Sequence, residues 1–465
     1  MKTLFEQQRA AFAQDSFPDL GARLDRLARL KALMQKHEER MAQAISADFG
    51  QRSRHETLIA ESFILLSDLA HTQKHLKRWM KPRRVATALH FLPGSSRILP
   101  QPLGVVGIIS PWNYPLQLAI VPAVAALAAG NRVMLKPSEL TPRFSDLLAE
   151  ILAERFSREE FAVVTGDAEV GRAFSALPFD HLFFTGSTAV GRHVATAAGA
   201  NLTPVTLELG GKSPVIVGAD ADLQAVAKKI ASGKLLNAGQ TCIAPDYVLL
   251  PNARFDDFAH AYAKAVAELY PTLENNPDYT SIASPRHYAR LQGLIADARA
   301  KGARFFEVNP AQEAADPQTR KLRPTILSQV NDGMSVMQEE IFGPVLPVLS
   351  CESLDEAIAY VNAHPRPLAL YYFGHNAADI DRVLRQTTSG GVTVNDTLLH
   401  FVQSNLPCGG VGPSGSGAYH GDYGFKLFTK EKPVFIQSRL SGSALLFPPY
   451  GKFTETMLYW MKKIA

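Results

Sequence analysis

A glutamate and a cysteine stand 34 residues apart, each in a glycine-containing loop: Glu208 in Glu208-Leu209-Gly210-Gly211-Lys212 and Cys242 in Gly239-Gln240-Thr241-Cys242. A thiolate adds to a carbonyl carbon, and a carboxylate beside it can take a proton from the water that later releases the acyl group. Covalent chemistry on an aldehyde or an ester is the first expectation. A lone cysteine more often packs as a small hydrophobe, but Asn237-Ala238-Gly239-Gln240-Thr241 reads as a loop after a helix. Glu208 closes the apolar run that starts at Val205, where desolvation raises a carboxyl pKa and so makes a better base. The bland alternative for Glu208 is an ion pair with Lys136 or Lys212.

Five further motifs follow a fixed order. They are Pro111-Trp112-Asn113-Tyr114-Pro115, Lys136-Pro137-Ser138-Glu139, Phe184-Thr185-Gly186-Ser187, Glu340-Ile341-Phe342-Gly343-Pro344 and Gly409-Gly410-Val411-Gly412-Pro413-Ser414-Gly415. With the two loops, they resemble the signatures of the aldehyde dehydrogenase superfamily across roughly residues 100–430. The resemblance implies Cys242 as nucleophile, Glu208 as base, and Asn113 with the backbone N–H of Cys242 as an oxyanion site. It also implies a nicotinamide cofactor held by Pro111, Trp112, Lys136, Glu139, Gly186, Ser187, Gly191, Glu340 and Phe342, with Tyr114 and Phe401 at the substrate entrance. An acid at Glu139 would repel the extra phosphate of NADP, which favours NAD and leaves NADP as the alternative. Without the resemblance, Asn113 is a turn former, Gly186 to Gly191 an ordinary strand-to-helix turn, Glu340 an exposed acid and Phe342 a core aromatic. No metal site is expected.

The family's LPFGG loop reads Leu406-Pro407-Cys408-Gly409-Gly410 here, a cysteine in an aromatic's place. Tyr419-His420-Gly421 and the tail with Pro448-Pro449-Tyr450-Gly451 resemble the short class-3 branch, particularly its coniferyl aldehyde dehydrogenase group. That branch implies oxidation of aromatic aldehydes, such as coniferaldehyde, or of medium to long aliphatic ones, and a homodimer. A CoA-acylating dehydrogenase is one competitor, and Glu208 counts against it because thiol deacylation needs no water-activating carboxylate. A cofactor-free thiol esterase is the other, and it would not need Lys136, Glu139, Gly186 and Glu340.

The elements that position these residues are readable in outline. At 465 residues, 46% apolar and 20% charged, the chain has the composition of a soluble protein of about three domains. A net charge of +4 gives no general case for nucleic acid, and the basic run Lys74, Lys77, Arg78, Lys81, Arg83, Arg84 reads as a solvated face. Three cysteines make no disulfide framework and fit a reducing, cytoplasmic setting. No export signal is expected, because the residues after Met1-Lys2 form no apolar run and include Glu6, Asp15 and Asp19, and no transmembrane segment, because the stretch Leu118 to Ala129 is too short and contains Pro122.

Residues 20–80 carry helical periodicity, and from Gly104 strand-like and helix-like runs alternate, which predicts a doubly wound parallel sheet. The expected fold is α/β and aldehyde dehydrogenase-like, in four parts. A Rossmann-type cofactor domain spans 1–81 and 101–208, with an N-terminal helical layer. A second α/β domain at 209–403 carries the nucleophile, a small β oligomerisation element spans 82–100 and 425–440, and 441–465 form a tail. His90-Phe91-Leu92 and Arg97-Ile98-Leu99 read as two short strands about the turn Pro93-Gly94-Ser95-Ser96. Phe453, Met457, Trp460, Met461 and Ile464 recur at helical spacing beside Lys452, Lys462 and Lys463 and predict a helix docked on the protein, with a membrane-interfacial helix as the alternative.

Overall fold

Runs rich in valine, isoleucine and phenylalanine form two mainly parallel sheets in the computed structural model, which describes residues 1–251 and 254–464. The six-stranded sheet runs, in spatial order, Gly415–Ser416, Val205–Glu208, His181–Thr185, Val105–Ile109, Arg132–Lys136 and Phe161–Val163. All pairs are parallel except Gly415–Ser416, which lies antiparallel to Val205–Glu208 with Gly415 opposite Glu208. From Val105–Ile109 the chain builds outward through Arg132–Lys136 and Phe161–Val163, then returns to build the other side from His181–Thr185. The order therefore reverses between Val105–Ile109 and His181–Thr185, and such a switch point opens a crevice beyond the carboxyl ends of both strands. Pro111 to Asn113 follow one of those strands and Gly186-Ser187 the other.

The long apolar stretch is the helix Gln117–Ala129, buried along its whole length. Helices Leu20–Lys36 and Ile64–Trp79 pack on it, and Leu27, Leu30, Met41, Ile45 and Phe49 of the N-terminal layer are fully buried. The layer also holds two features that periodicity did not show. Helix Lys2–Gln14 seats Leu4, Phe5 and Gln8, and the Gln8 amide donates to the carbonyl of Val133 at 2.9 Å. Leu58–Phe63 is a π-helical turn that carries the buried Glu61.

The seven-stranded sheet runs Arg304–Glu307, Thr325–Ser328, Val345–Cys351, Tyr247–Pro251, Pro214–Val217, Ala369–Phe373 and Gly391–Val394, parallel except for Arg304–Glu307 at one edge. Its helix Leu223–Leu235 leads into the loop that carries Cys242. A third sheet is antiparallel, with Ser95–Pro102 between Arg83–Val85 and Thr429–Ile436. The expected first strand of this hairpin is a correction: Leu89–Phe91 is a 3₁₀ turn, and Arg83–Val85 takes the pairing. Pro93 has no ladder donor, and the Phe91 ring instead lies on Phe435 at 5.9 Å.

The C-terminal helix Lys452–Ile464 forms, with Thr454 buried and Met457 and Met461 half-buried on one face. Phe453, Tyr459 and Trp460 are all more than half exposed, and Thr454 is the one buried residue among those described. Among the described residues, no helix is long and apolar enough to cross a membrane.

Candidate active site

The crevice at the switch point is a cavity of about 520 Å³, and the second sheet supplies its far wall. Pro111, Trp112, Asn113, Gly186, Ser187 and Glu208 line it from the first sheet, and Cys242, Glu340 and Phe342 from the second. Nine sequence-selected residues thus meet in one space, although they span more than 200 positions of chain.

Cys242 follows a tight turn in which Asn237, Ala238 and Gly239 all have positive φ, at 54°, 52° and 78°. Two of these are not glycine, so the turn is strained and something must hold it. Gln240 does part of this: its amide donates to the carbonyls of Asn237 and Ser281, and its side-chain oxygen accepts from the Ala283 N–H at 2.8 Å. Asn113, buried, donates from Nδ2 to the Gln240 carbonyl at 3.1 Å. The hydroxyls of Tyr114 and Thr241 are 2.7 Å apart, which ties the Asn113 loop to the Cys242 loop a second time.

The thiol is partly exposed to the cavity and is removed from bulk water. That desolvation, then the neighbouring carboxyls of Glu340 and Glu208, push its pKa up to about 12, while N–H groups of Cys242 and Ile243 donate to it and oppose the rise. Without a ligand, Cys242 is therefore a neutral thiol that needs a base. Glu208 is buried at the end of its strand, and burial raises its pKa well above the carboxylate range. Neither candidate ion pair is made: Lys136 binds Glu139 and Lys212 binds Asp246, while Glu208 Oε1 has no protein partner.

Glu340 faces Gly210 so closely that a Cβ there would strike its carboxyl group. Burial first, then Asp246, lift Glu340 to about 8. Its charge should therefore suppress the Cys242 thiolate only in alkaline solution. We expect Glu340→Gln to speed iodoacetamide alkylation of Cys242 severalfold at about pH 9.5, and to leave the rate unchanged at about pH 6.5, where the carboxyl is already neutral. Equal effects at both pH values would show that this charge does not act on the thiol.

The other end of the cavity suits a polar, anionic ligand. Ser187 caps the helix Thr188–Gly199 by accepting from the Val190 N–H, and the start of that helix lines the cavity, where the dipole favours negative charge. Thr185 Oγ1 and Glu340 Oε1 are buried without protein partners, so both can receive ligand hydroxyls. Gly186 is not an open donor, because its N–H goes to the Glu208 carbonyl at 3.0 Å.

Five predicted residues lie off this cavity. Lys136 and Glu139 end and follow the next strand, with Nζ to Oε2 at 2.9 Å. Gly191 sits within its helix, where a Cβ would strike Leu209. Tyr114 is buried beside Thr241, and Phe401 packs on His420 with ring centres 5.1 Å apart. Sequence reasoning missed His287 and Arg290, both on the cavity wall. The His287 ring lies 4.6 Å from Trp112, and Arg290 reaches the carbonyls of Glu340 and Ile341. They come from the helix Pro285–Ala300, which carries no motif.

A doubly wound sheet with a crevice at its switch point, and a cysteine set into that crevice by a second α/β unit, defines an α/β protein built for ligand chemistry at a thiol. The chain belongs to the aldehyde dehydrogenase family, whose model matches residues 2–434, and it is an aldehyde dehydrogenase enzyme. It is 51% identical to a probable coniferyl aldehyde dehydrogenase of Pseudomonas aeruginosa, over 99% of this chain and 95% of that protein. The substrate-bound state of Staphylococcus aureus AldH has a TM-score of 0.93 at 39% identity, covering 99% of both chains. A Mycobacterium tuberculosis aldehyde dehydrogenase complexed with NAD+ has a TM-score of 0.83 at 28% identity, covering 94% of this chain and 89% of that one.

Proposed function

We propose that the protein oxidises aromatic aldehydes of the coniferaldehyde type, or medium to long aliphatic ones, to carboxylates with NAD. The observation that carries this reading is the meeting of Cys242, Glu208 and Asn113 in one cavity whose other end suits an anionic, hydroxyl-bearing ligand. Cys242 Sγ adds to the aldehyde carbon, and Asn113 Nδ2 with the Cys242 N–H holds the oxyanion; one such donor is typically worth about 10²–10³ in rate. A nicotinamide bound in the cavity supplies the hydride acceptor. Ionised Glu208 takes the thiol proton before attack, releases it to solvent, and later takes the proton of the water that hydrolyses the thioester. Its raised pKa makes the ionised form a stronger base, and only that form performs either task.

Gly186, Ser187, Thr185, Glu340 and Phe342 would hold the cofactor on the cavity side, and Lys136 and Glu139 its adenine ribose. The Glu139 carboxylate disfavours a 2′-phosphate, which supports NAD over NADP. The substrate class is supported by the half-identical Pseudomonas relative. The test is reduced-nicotinamide formation across benzaldehyde, coniferaldehyde and straight-chain aldehydes, with each cofactor. Turnover of coniferaldehyde with NAD and without CoA supports the reading; a strict CoA requirement, or ester hydrolysis alone, contradicts it.

The three free cysteines fit a reducing compartment, and we place the protein in the cytoplasm. We further propose a homodimer formed through the antiparallel sheet. Leu89, Phe91, Leu92, Phe435 and Ile436 are each at least 46% exposed there, and an uncovered apolar sheet edge invites a second chain. Light scattering coupled to size exclusion should give the mass of two chains at micromolar concentration; the mass of one or of four rejects this assembly.

A further inference from the structure

Arg52 is a fully buried guanidinium from the segment after helix Glu38–Phe49, and it lies beneath the Asn113 loop. Its Nη1 donates to the Asn113 carbonyl at 2.9 Å and lies 3.0 Å from Oε1 of Glu61, also fully buried. The other Glu61 oxygen accepts from the N–H groups of Leu116 and Gln117, at 2.7 and 3.1 Å. The Arg52 guanidinium sits 4.8 Å from the Tyr114 ring centre.

From the cysteine side, Asn237 Nδ2 reaches the same Asn113 carbonyl at 3.0 Å and the Gln240 carbonyl at 3.1 Å. The Asn237 N–H is in turn held by Glu56 at 3.0 Å. Two donors from separate segments thus fix one carbonyl, that of Asn113. One of the two Asn113 amide protons goes to Gln240, which orients the amide and leaves its second N–H for another acceptor.

This arrangement is costly as a stability device. Arg52 Nε and Nη2 are buried without partners, and a buried ion pair is often replaced by apolar side chains at no loss of stability. We propose that Arg52, braced by Glu61, is a positioning residue that sets the distance and angle between the Asn113 amide and the Cys242 sulfur. Asn237, braced by Glu56, does the same from the other loop. The inference rests on the reading of Asn113 as an oxyanion donor.

Hydrolysis of p-nitrophenyl acetate without cofactor tests it, because that ester passes through the same kind of oxyanion. Arg52→Lys keeps a cation beside Glu61 but cannot reproduce the planar fork. It should lower kcat for the ester by about tenfold or more, with KM little changed. Iodoacetamide alkylation of Cys242 forms no oxyanion and should keep its rate. In an Asn113→Ala background, Arg52→Lys should have no further effect on the ester, because both act through one amide. Asn237→Gly, which tolerates the positive φ, should give the same pattern and supplies the test if Arg52→Lys does not fold.

Multiplicative losses in the double variant, or parallel falls in alkylation and hydrolysis, overturn the proposal and leave the oxyanion reading standing. An Asn113→Ala variant that hydrolyses the ester and oxidises aldehydes normally overturns that reading and this proposal with it.

Discussion

Cys242→Ala is expected to reduce aldehyde oxidation on the order of 10⁴-fold or more, because no other group in the cavity can form the covalent adduct. Cofactor affinity should change little, since Thr185, Ser187, Glu340 and Phe342 surround the cavity independently of the sulfur. The fold should tolerate the change: the thiol is a small neutral group partly open to the cavity, and its loop is held by Gln240, Asn237 and Thr241. Equilibrium binding of the cofactor beside a steady-state assay separates these effects. Residual turnover within about tenfold of the parent would require another nucleophile. Cys408 would then be the first to test, because it is buried in the same core cluster.

Glu208→Gln should fail at a different step. The amide cannot accept the proton of the hydrolytic water, so acyl transfer to water slows on the order of 10²–10⁴-fold. If the thiol still loses its proton to solvent at alkaline pH, the first turnover survives. A burst of about one reduced nicotinamide per site followed by slow release is the expected trace. Stability gives a second signature. The Glu208 pKa is raised in the fold, so above the ordinary carboxylate value the unfolded state ionises while the folded state stays protonated, and stability falls as pH rises. Glutamine has no such term, so the variant's stability relative to the parent should grow with pH above about 4.5. A variant with unaltered steady-state turnover excludes Glu208 as the essential base.

How far the site could be read from sequence follows from the kinds of signal that chemistry leaves. Glu208 was visible because an acid at the end of an apolar strand needs a reason, and Cys242 because the residues before it do not read as an apolar core segment, although the loop proves to be buried. The strand ends were visible because alternating elements force a parallel sheet, whose order then fixes the crevice. His287 and Arg290 were not, because they occupy a helix that reads as an ordinary surface and reach the cavity only through tertiary packing. Arg52, Glu56 and Glu61 looked like the polar residues of an amphipathic layer; their burial arises where that layer meets the Asn113 loop. The strand at Arg83–Val85 was masked by its basic residues, and His90-Phe91-Leu92 was a false strand: the segment is exposed, and its Phe91 ring meets Phe435 from outside the ladder.

Mass spectrometry of the acid-quenched Glu208→Gln variant after one turnover with coniferaldehyde and NAD tests the central claim most directly. The account predicts that the peptide containing Cys242 gains the mass of the acyl group less one hydrogen, in nearly every site and only when both aldehyde and cofactor are present. An unmodified Cys242 in a sample that has formed its burst of reduced nicotinamide, or an acyl group carried by Cys408, would contradict it.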